Sequence, residues 1–146
     1  MPQEVFEGTG GALLAIPKDQ IPFIRTVVEP EIRRACARSD GRYDSADVLA
    51  ALLAREMQLW LAVDATSGKT NAVCVTQIVN YPRERRCSLA FCAGKRPGLW
   101  LHHLDDIAEW AKAHGCAALE LQGRPGWEKL LPAGWKRTHV LLRKRI

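Results

Sequence analysis

Glu120 is the residue whose type and setting best suit chemistry in this chain. It interrupts the apolar stretch CAALELQG (116–123), and in a strand its neighbours Leu119 and Leu121 point to the opposite face. A carboxylate placed this way can act as a general base toward a nucleophile, or can be a cleft carboxylate paired with an arginine. His102 and His103 open a helical stretch. One of them can face a bound anion or a substrate amine, but plain surface polarity is the simpler account of the pair. Asp105 and Asp106 are adjacent on that helix and point in different directions, so they are not a paired-carboxylate site. His114 suits a helix C-terminus, where the dipole favours a cation. His139 alternates with Val140 in a strand pattern. No second pair of ligands at suitable spacing supports a metal site.

Several chemistries are excluded by motif. Ser39, Ser45, Ser67 and Ser88 lack the GxSxG elbow of serine hydrolases. Gly94-Lys95-Arg96-Pro97-Gly98 is not a Walker loop, which needs GxxxxGK followed by Ser or Thr. The five cysteines (36, 74, 87, 92 and 116) are odd in number and contain no CxxC pair, which argues against a disulfide framework and a tetrahedral zinc site. Cys74, Cys87 and Cys92 lie in apolar segments and read as small buried hydrophobes, and a reducing compartment, the cytoplasm, follows. No apolar run reaches the roughly 20 residues that span a bilayer, so no membrane association is expected. The start, MPQEVFEGTG, has no basic region and carries Glu4 and Glu7, so no secretory leader is expected.

The 146 residues fit one domain, 1–146. Net charge is +5, from 21 basic and 16 acidic residues. The basic residues gather at Arg83, Arg85 and Arg86, at Lys95 and Arg96, and from Lys136 to Arg145. They read as a solvated rim that permits a phosphate-bearing partner.

The elements that position these residues follow from periodicity. A first strand covers 12–16, after the loosening glycines of Gly8-Thr9-Gly10-Gly11. A helical pattern runs from Gln20 to Arg38, where Pro30 suits a first helical turn and divides the helix. Gly41 offers a left-handed cap. Asp44 or Ser45 caps a second helix carrying Val48, Leu49, Leu52, Leu53 and Met57. Strands at 59–65, 71–81 and 87–93, with short turns between them, form an antiparallel meander. Trp100, Leu104, Ile107, Ala108 and Ala111 make one helical stripe that ends at Gly115. Strand 116–123 then pairs parallel with 87–93, because a helix joins them. A short helix spans Pro125 to Leu131, and THVLLRKRI (138–146) is the last strand.

This order resembles the GNAT superfamily of acyl-CoA N-acyltransferases. The likeness rests mainly on the strand–loop–helix–strand section SLAFCAGKRPGLWLHHLDDIAEWAKAHGCAALELQG (88–123). More narrowly, GRYD (41–44), MQLWLAVD (57–64), IVNYPRERRC (78–87) and LQGRPGWEKLLPAGW (121–135) resemble small GNAT-like proteins of tailed phages, prophages and gene transfer agents. The resemblance implies an α/β fold, a GNAT-like mixed sheet of about six strands with helices on both faces. It implies acetyl-CoA as cofactor, with its pyrophosphate at a helix N-terminus, where free N–H groups and the dipole favour anions. The residues so implied are Phe91, Cys92, Ala93, Gly94, Lys95, Arg96, Gly98 and Leu99. Aligning the family's phosphate motif on Gly98 puts Lys95 at its first position and Trp100 at its last, usually small, position.

The resemblance further implies a small-molecule or protein amine as acceptor and makes Glu120 the candidate catalytic base. The helix that often supplies a tyrosine acid offers Trp127, Glu128 and Lys129 instead, and Tyr43 and Tyr81 both fall in turn regions. A second expectation is therefore a non-catalytic GNAT-like virion or assembly protein, with phage structural proteins as partners. Its surface is the basic rim with Trp127 and Trp135; Trp60 and Trp110 belong to the core. No nucleic-acid motif accompanies these aromatics, so a protein interface is expected and nucleic acid is not. Only one strand follows the short helix where the family ends in a hairpin, which favours a homodimer or assembly contact through strand-edge pairing.

Overall fold

The computed structural model describes residues 4–8 and 11–146. Its elements are β1 (Glu4–Gly8), β2 (Gly11–Ile16), a 3-10 turn (Lys18–Gln20), α1 (Ile21–Cys36), α2 (Ser45–Leu53), β3 (Gln58–Asp64) and β4 (Thr70–Asn80). β5 (Arg85–Gly94), a second 3-10 turn (Pro97–Leu99), α3 (His103–Ala113), β6 (Cys116–Leu121) and α4 (Gly126–Leu130) follow. The strands form one sheet in the order β1 to β6. Neighbours are antiparallel as far as β5, and β5 and β6 are parallel, with α3 as the crossover.

Five of these strands are those predicted from periodicity. The sixth is not. Residues 138–146 form no strand, and the remaining place is taken by β1, paired with β2 from Glu4↔Ala15 to Gly8↔Gly11. Thr9 and Gly10 of the glycine-rich stretch lie outside the described residues. The failure at the C-terminus has a physical cause. Val140, Leu141 and Leu142 are consecutive, so a strand would put an apolar side chain on each face; all three are exposed. Arg143 Nε lies 2.8 Å from Asp40 Oδ2, which ties the segment to the connection between α1 and α2.

Pro30 does not divide α1, which is continuous. Proline removes one helical hydrogen bond, but Val28 and Ile32 on either side are fully buried and Glu29 bridges Arg25 and Arg33. α2 starts with a capping box between Asp44 and Asp47 and is shorter than predicted: Arg55, at φ 63°, has left the helix, and Met57 packs from the turn into β3. Trp100 also lies outside its predicted helix, after the second 3-10 turn.

The sheet separates two apolar clusters by strand alternation. Leu59, Leu61, Val73 and Val75 pack with Val28 and Ile32 of α1 and Val48, Leu49 and Leu52 of α2. Leu13, Trp60, Ala62 and Cys74 pack with Leu104, Ile107 and Ala111 of α3. Trp60 is fully buried, with Trp110 edge-on to it. All five cysteines are free thiols; Cys74 and Cys87 are buried as predicted, and Cys92 is half-buried.

Candidate active-site cleft

Pairing between β5 and β6 runs only from Arg85↔Cys116 to Leu89↔Leu121. β5 continues to Gly94, so Ala90 to Gly94 have no strand on that side and the sheet opens. The opening begins at a bulge. The β4–β5 register steps from Val75↔Phe91 to Thr76↔Leu89, leaving Ala90 as the extra residue. A bulge re-aims the side chains beyond it. Cys87 and Leu89 therefore face α3, whereas Phe91 joins the α1–α2 cluster. A long groove follows the opening. Its walls are β5, β6, the C-terminal half of α1, the loop after β5, α4 and residues 133–141.

The loop leaving β5 is held by close packing. A Cβ on Gly94 would lie 2.8 Å from each of Ala72 Cβ, the Asn71 carbonyl and Trp100 Nε1, so only glycine fits. Trp100 is turned inward, 5% exposed, and its Nε1 donates to the Lys95 carbonyl at 3.0 Å. Trp127 stacks on it edge-on. Successive tight turns use the N–H groups of Leu99, Trp100, Leu101 and His103. Among the described residues, the N–H groups of Lys95, Arg96, Gly98 and His102 donate to no protein acceptor. A Cβ on Gly98 would meet nothing within 4 Å, so its backbone is open to approach. Lys95, Arg96 and Leu99 are exposed. Cys92 and Ala93 continue the open edge opposite Cys74 and Val73. Seven of the eight residues expected to hold the cofactor line the groove, and Gly98 is not among its lining residues.

Glu120 lies across from Ser88. Leu119 and Leu121 pack on the α3 side, which places Glu120 on the α1–α2 side. Its Oε1 accepts from Arg86 Nη1 at 2.9 Å. Arg86 also donates to Glu84 Oε1 from Nη2 (2.6 Å) and Nε (3.1 Å), and its guanidinium stands 5.4 Å over the Tyr81 ring. These two carboxylates, Glu84 before Glu120, push the Arg86 pKa above its ordinary value. Among the described residues, Glu120 Oε2 has no protein partner.

His139 lines the groove, whereas His102, His103 and His114 do not. His103 is 2% exposed, with Nδ1 2.8 Å from Asp106 Oδ2, so surface polarity does not describe it. It turns inward because the helix starts there and its face meets the sheet near Gly11. Burial, and then the neighbouring His103, lower the pKa of His102. Two groove residues escape sequence reasoning. Tyr43 packs edge-on to Phe91 with ring centroids 5.4 Å apart, and Arg38 lines the groove from the turn after α1. Their signal is weak: Tyr43 sits in the connection between α1 and α2, and Arg38 in the turn just past the end of α1.

No protein-family model and no curated protein sequence matches this chain. Solved structures do. One is an aminoglycoside acetyltransferase from an uncultured soil metagenomic sample, with 12% identity and TM-score 0.68 over all of this chain and 99% of that one. Another is a predicted acetyltransferase of Clostridium acetobutylicum solved with acetyl-CoA, with 14% identity and TM-score 0.63 over 91% and 94% of the two chains. A third is a GNAT family acetyltransferase of Staphylococcus aureus, with 10% identity and TM-score 0.58 over 99% and 98%. The chain therefore has the fold of the GNAT acetyltransferases. No described helix is long and apolar enough to cross a membrane.

Proposed function

We propose that this chain is a single-domain, acyl-CoA-dependent N-acyltransferase that carries an acetyl group from acetyl-CoA to an amine. The observation that carries this reading is the opening of β5 from β6 at the Ala90 bulge, leading into a loop with unpaired N–H groups. The fit to the cofactor is physical. Unpaired N–H groups at Lys95, Arg96 and Gly98, beside two exposed basic side chains, suit a pyrophosphate. The bulky Trp100 does not obstruct this cradle, because its ring is buried behind it. The open edge of Phe91, Cys92 and Ala93 offers backbone groups to the cofactor's arm, and Leu99 offers apolar contact at the rim.

The cofactor supplies an activated acyl thioester. Glu120 takes the proton of the attacking amine on Oε2, while Arg86 holds Oε1. As the N–C bond forms the C–S bond breaks, and the thiolate, whose parent thiol has an ordinary pKa near ~8.5, takes its proton from water. The free thiols suit a cytoplasmic setting for this chemistry.

Calorimetry with acetyl-CoA tests the reading, with Gly98→Asp as the control. Wild type should bind with a micromolar dissociation constant, roughly −8 kcal/mol. The Asp side chain enters open space, so the variant should keep its fold and lose binding. No binding by wild type at millimolar ligand would leave the second reading, a catalytically inactive virion or assembly protein of phage type. Trp127, Trp135 and the basic rim would then be its partner surface.

A further inference from the structure

We infer that the amine acceptor of this cleft is a small anionic molecule, bearing a carboxylate or phosphate that Arg38 binds. This deepens the reading above and rests on it.

The charge of the molecule is concentrated in the groove. Among the described residues the lining holds eleven basic and four acidic side chains, a net +7. The whole chain carries 21 and 16, a net +5, so everything outside the groove sums to −2. Some of that positive charge, at Lys95 and Arg96, belongs to the cofactor loop. The α1 wall is separate from it.

The groove's carboxylates are already engaged. Glu31 pairs with Arg34 at 3.1 Å, Glu120 with Arg86 at 2.9 Å, and Glu128 with Arg137 at 2.7 Å. Of the groove's four carboxylates, Asp105 alone has no side-chain partner among the described residues. A polyamine such as an aminoglycoside would have to break these pairs, leaving guanidinium groups beside its own cations. An anionic amine meets the opposite situation. Arg38 has no side-chain partner among the described residues; it stands in the turn just past the end of α1, four residues after Arg34, and both line the groove. Arg42, in the connection to α2, also lines the groove, its Nη1 donating to the Ser39 carbonyl at 2.9 Å. This wall lies on the α1–α2 side of the sheet, the side of Phe91 and Glu120. A guanidinium fork matches a carboxylate or a phosphate in geometry as well as charge. An acceptor anchored there shares the groove with Glu120, whose Oε2 has no protein partner among the described residues.

The test reads binding as well as turnover. L-Glutamate, O-phosphoethanolamine and spermidine are titrated against the full chain, following the arginine Nε–Hε signals by NMR. Arg38→Gln identifies the Arg38 signal. The expected result is that at least one anionic amine shifts that signal, binds at least tenfold more weakly to Arg38→Gln, and outcompetes spermidine. Acetyl-CoA affinity should stay within twofold in the variant. A response to glutamate alone names a carboxylate acceptor, and one to phosphoethanolamine alone names a phosphate. Preference for spermidine, no anion binding, or anion binding undiminished in Arg38→Gln would overturn the inference. Anion binding at Arg38 without any acetyl-CoA binding would instead defeat the acyltransfer reading while the anion site stands.

Discussion

Trp100 and Lys95 are joined by a hydrogen bond from the indole Nε1 to the backbone carbonyl, 3.0 Å long, across the loop that leaves β5. The indole ring is packed inward and fastens the loop. Trp100→Phe removes the donor and keeps most of the apolar area. The exposed carbonyl can turn to water, so the stability cost should be about 0.5–1.5 kcal/mol. The loop loses its tether, so acetyl-CoA affinity should fall several-fold. Denaturant titration and calorimetry on the same samples check this. Lost stability with unchanged affinity would mean that the tether serves packing alone.

Gly94 and Gly98, four residues apart, should respond oppositely to alanine. At Gly94 the new methyl meets the Asn71 carbonyl, which belongs to a paired strand and cannot retreat. A cost of about 1–3 kcal/mol follows from overpacking. At Gly98 the methyl enters open space, and stability should change by less than about 0.5 kcal/mol. Thermal melts of the two variants side by side decide the matter; equal melting temperatures would contradict the packing described.

The legible part of the fold was the part with a clean period. Leu104, Ile107 and Ala111 announce α3, Gly115 at φ 82° ends it, and the meander follows from alternating strands with short turns. β1 was hidden because the glycine-rich stretch Gly8-Thr9-Gly10-Gly11 reads in sequence as loosening the chain. The apolar content of 138–146 suggested a strand, yet its three consecutive apolar residues match no single face. The site was harder to read. The segment from Phe91 to Leu99 was singled out by resemblance alone, and strict alternation in CSLAFCA would put Phe91 beside Leu89; only the bulge at Ala90 moves it to the other face. Arg86 reaches Glu120 across 34 residues of sequence, a pairing that no local spacing encodes.

Cys87 gives a prediction in pH. Burial, and then the neighbouring Cys116, push its thiol up to about 11, against an ordinary value of 9.0. Below pH 9 the thiol is protonated in both folded and unfolded chains and stability is unaffected. Between pH 9 and 11 the unfolded chain loses this proton first, so stability falls as pH rises, by about 3 kcal/mol in all, and levels off above 11. Cys87→Ala should be less stable than wild type at pH 8, and that difference should shrink steadily toward pH 11. Parallel curves in urea titrations at pH 8, 9, 10 and 11 would show that the thiol ionises freely in the folded protein.

Glu120 carries the sharpest test of the chemistry. Glu120→Gln keeps an oxygen for Arg86 Nη1 to donate to, so the strand and the guanidinium should stay in place. What it removes is the basic oxygen that would receive the amine's proton. For a general base the loss in kcat should be about 10²–10⁴-fold, with acetyl-CoA affinity unchanged. Part of the rate should return at high pH, where more of the acceptor amine is already neutral. A carboxylate that serves only as the partner of Arg86 predicts something else. Glutamine would then leave kcat near the wild-type value at every pH, while Arg86→Ala would disturb the local packing and both binding steps. Measuring kcat against pH for wild type and Glu120→Gln therefore separates a group that moves a proton from one that holds an arginine.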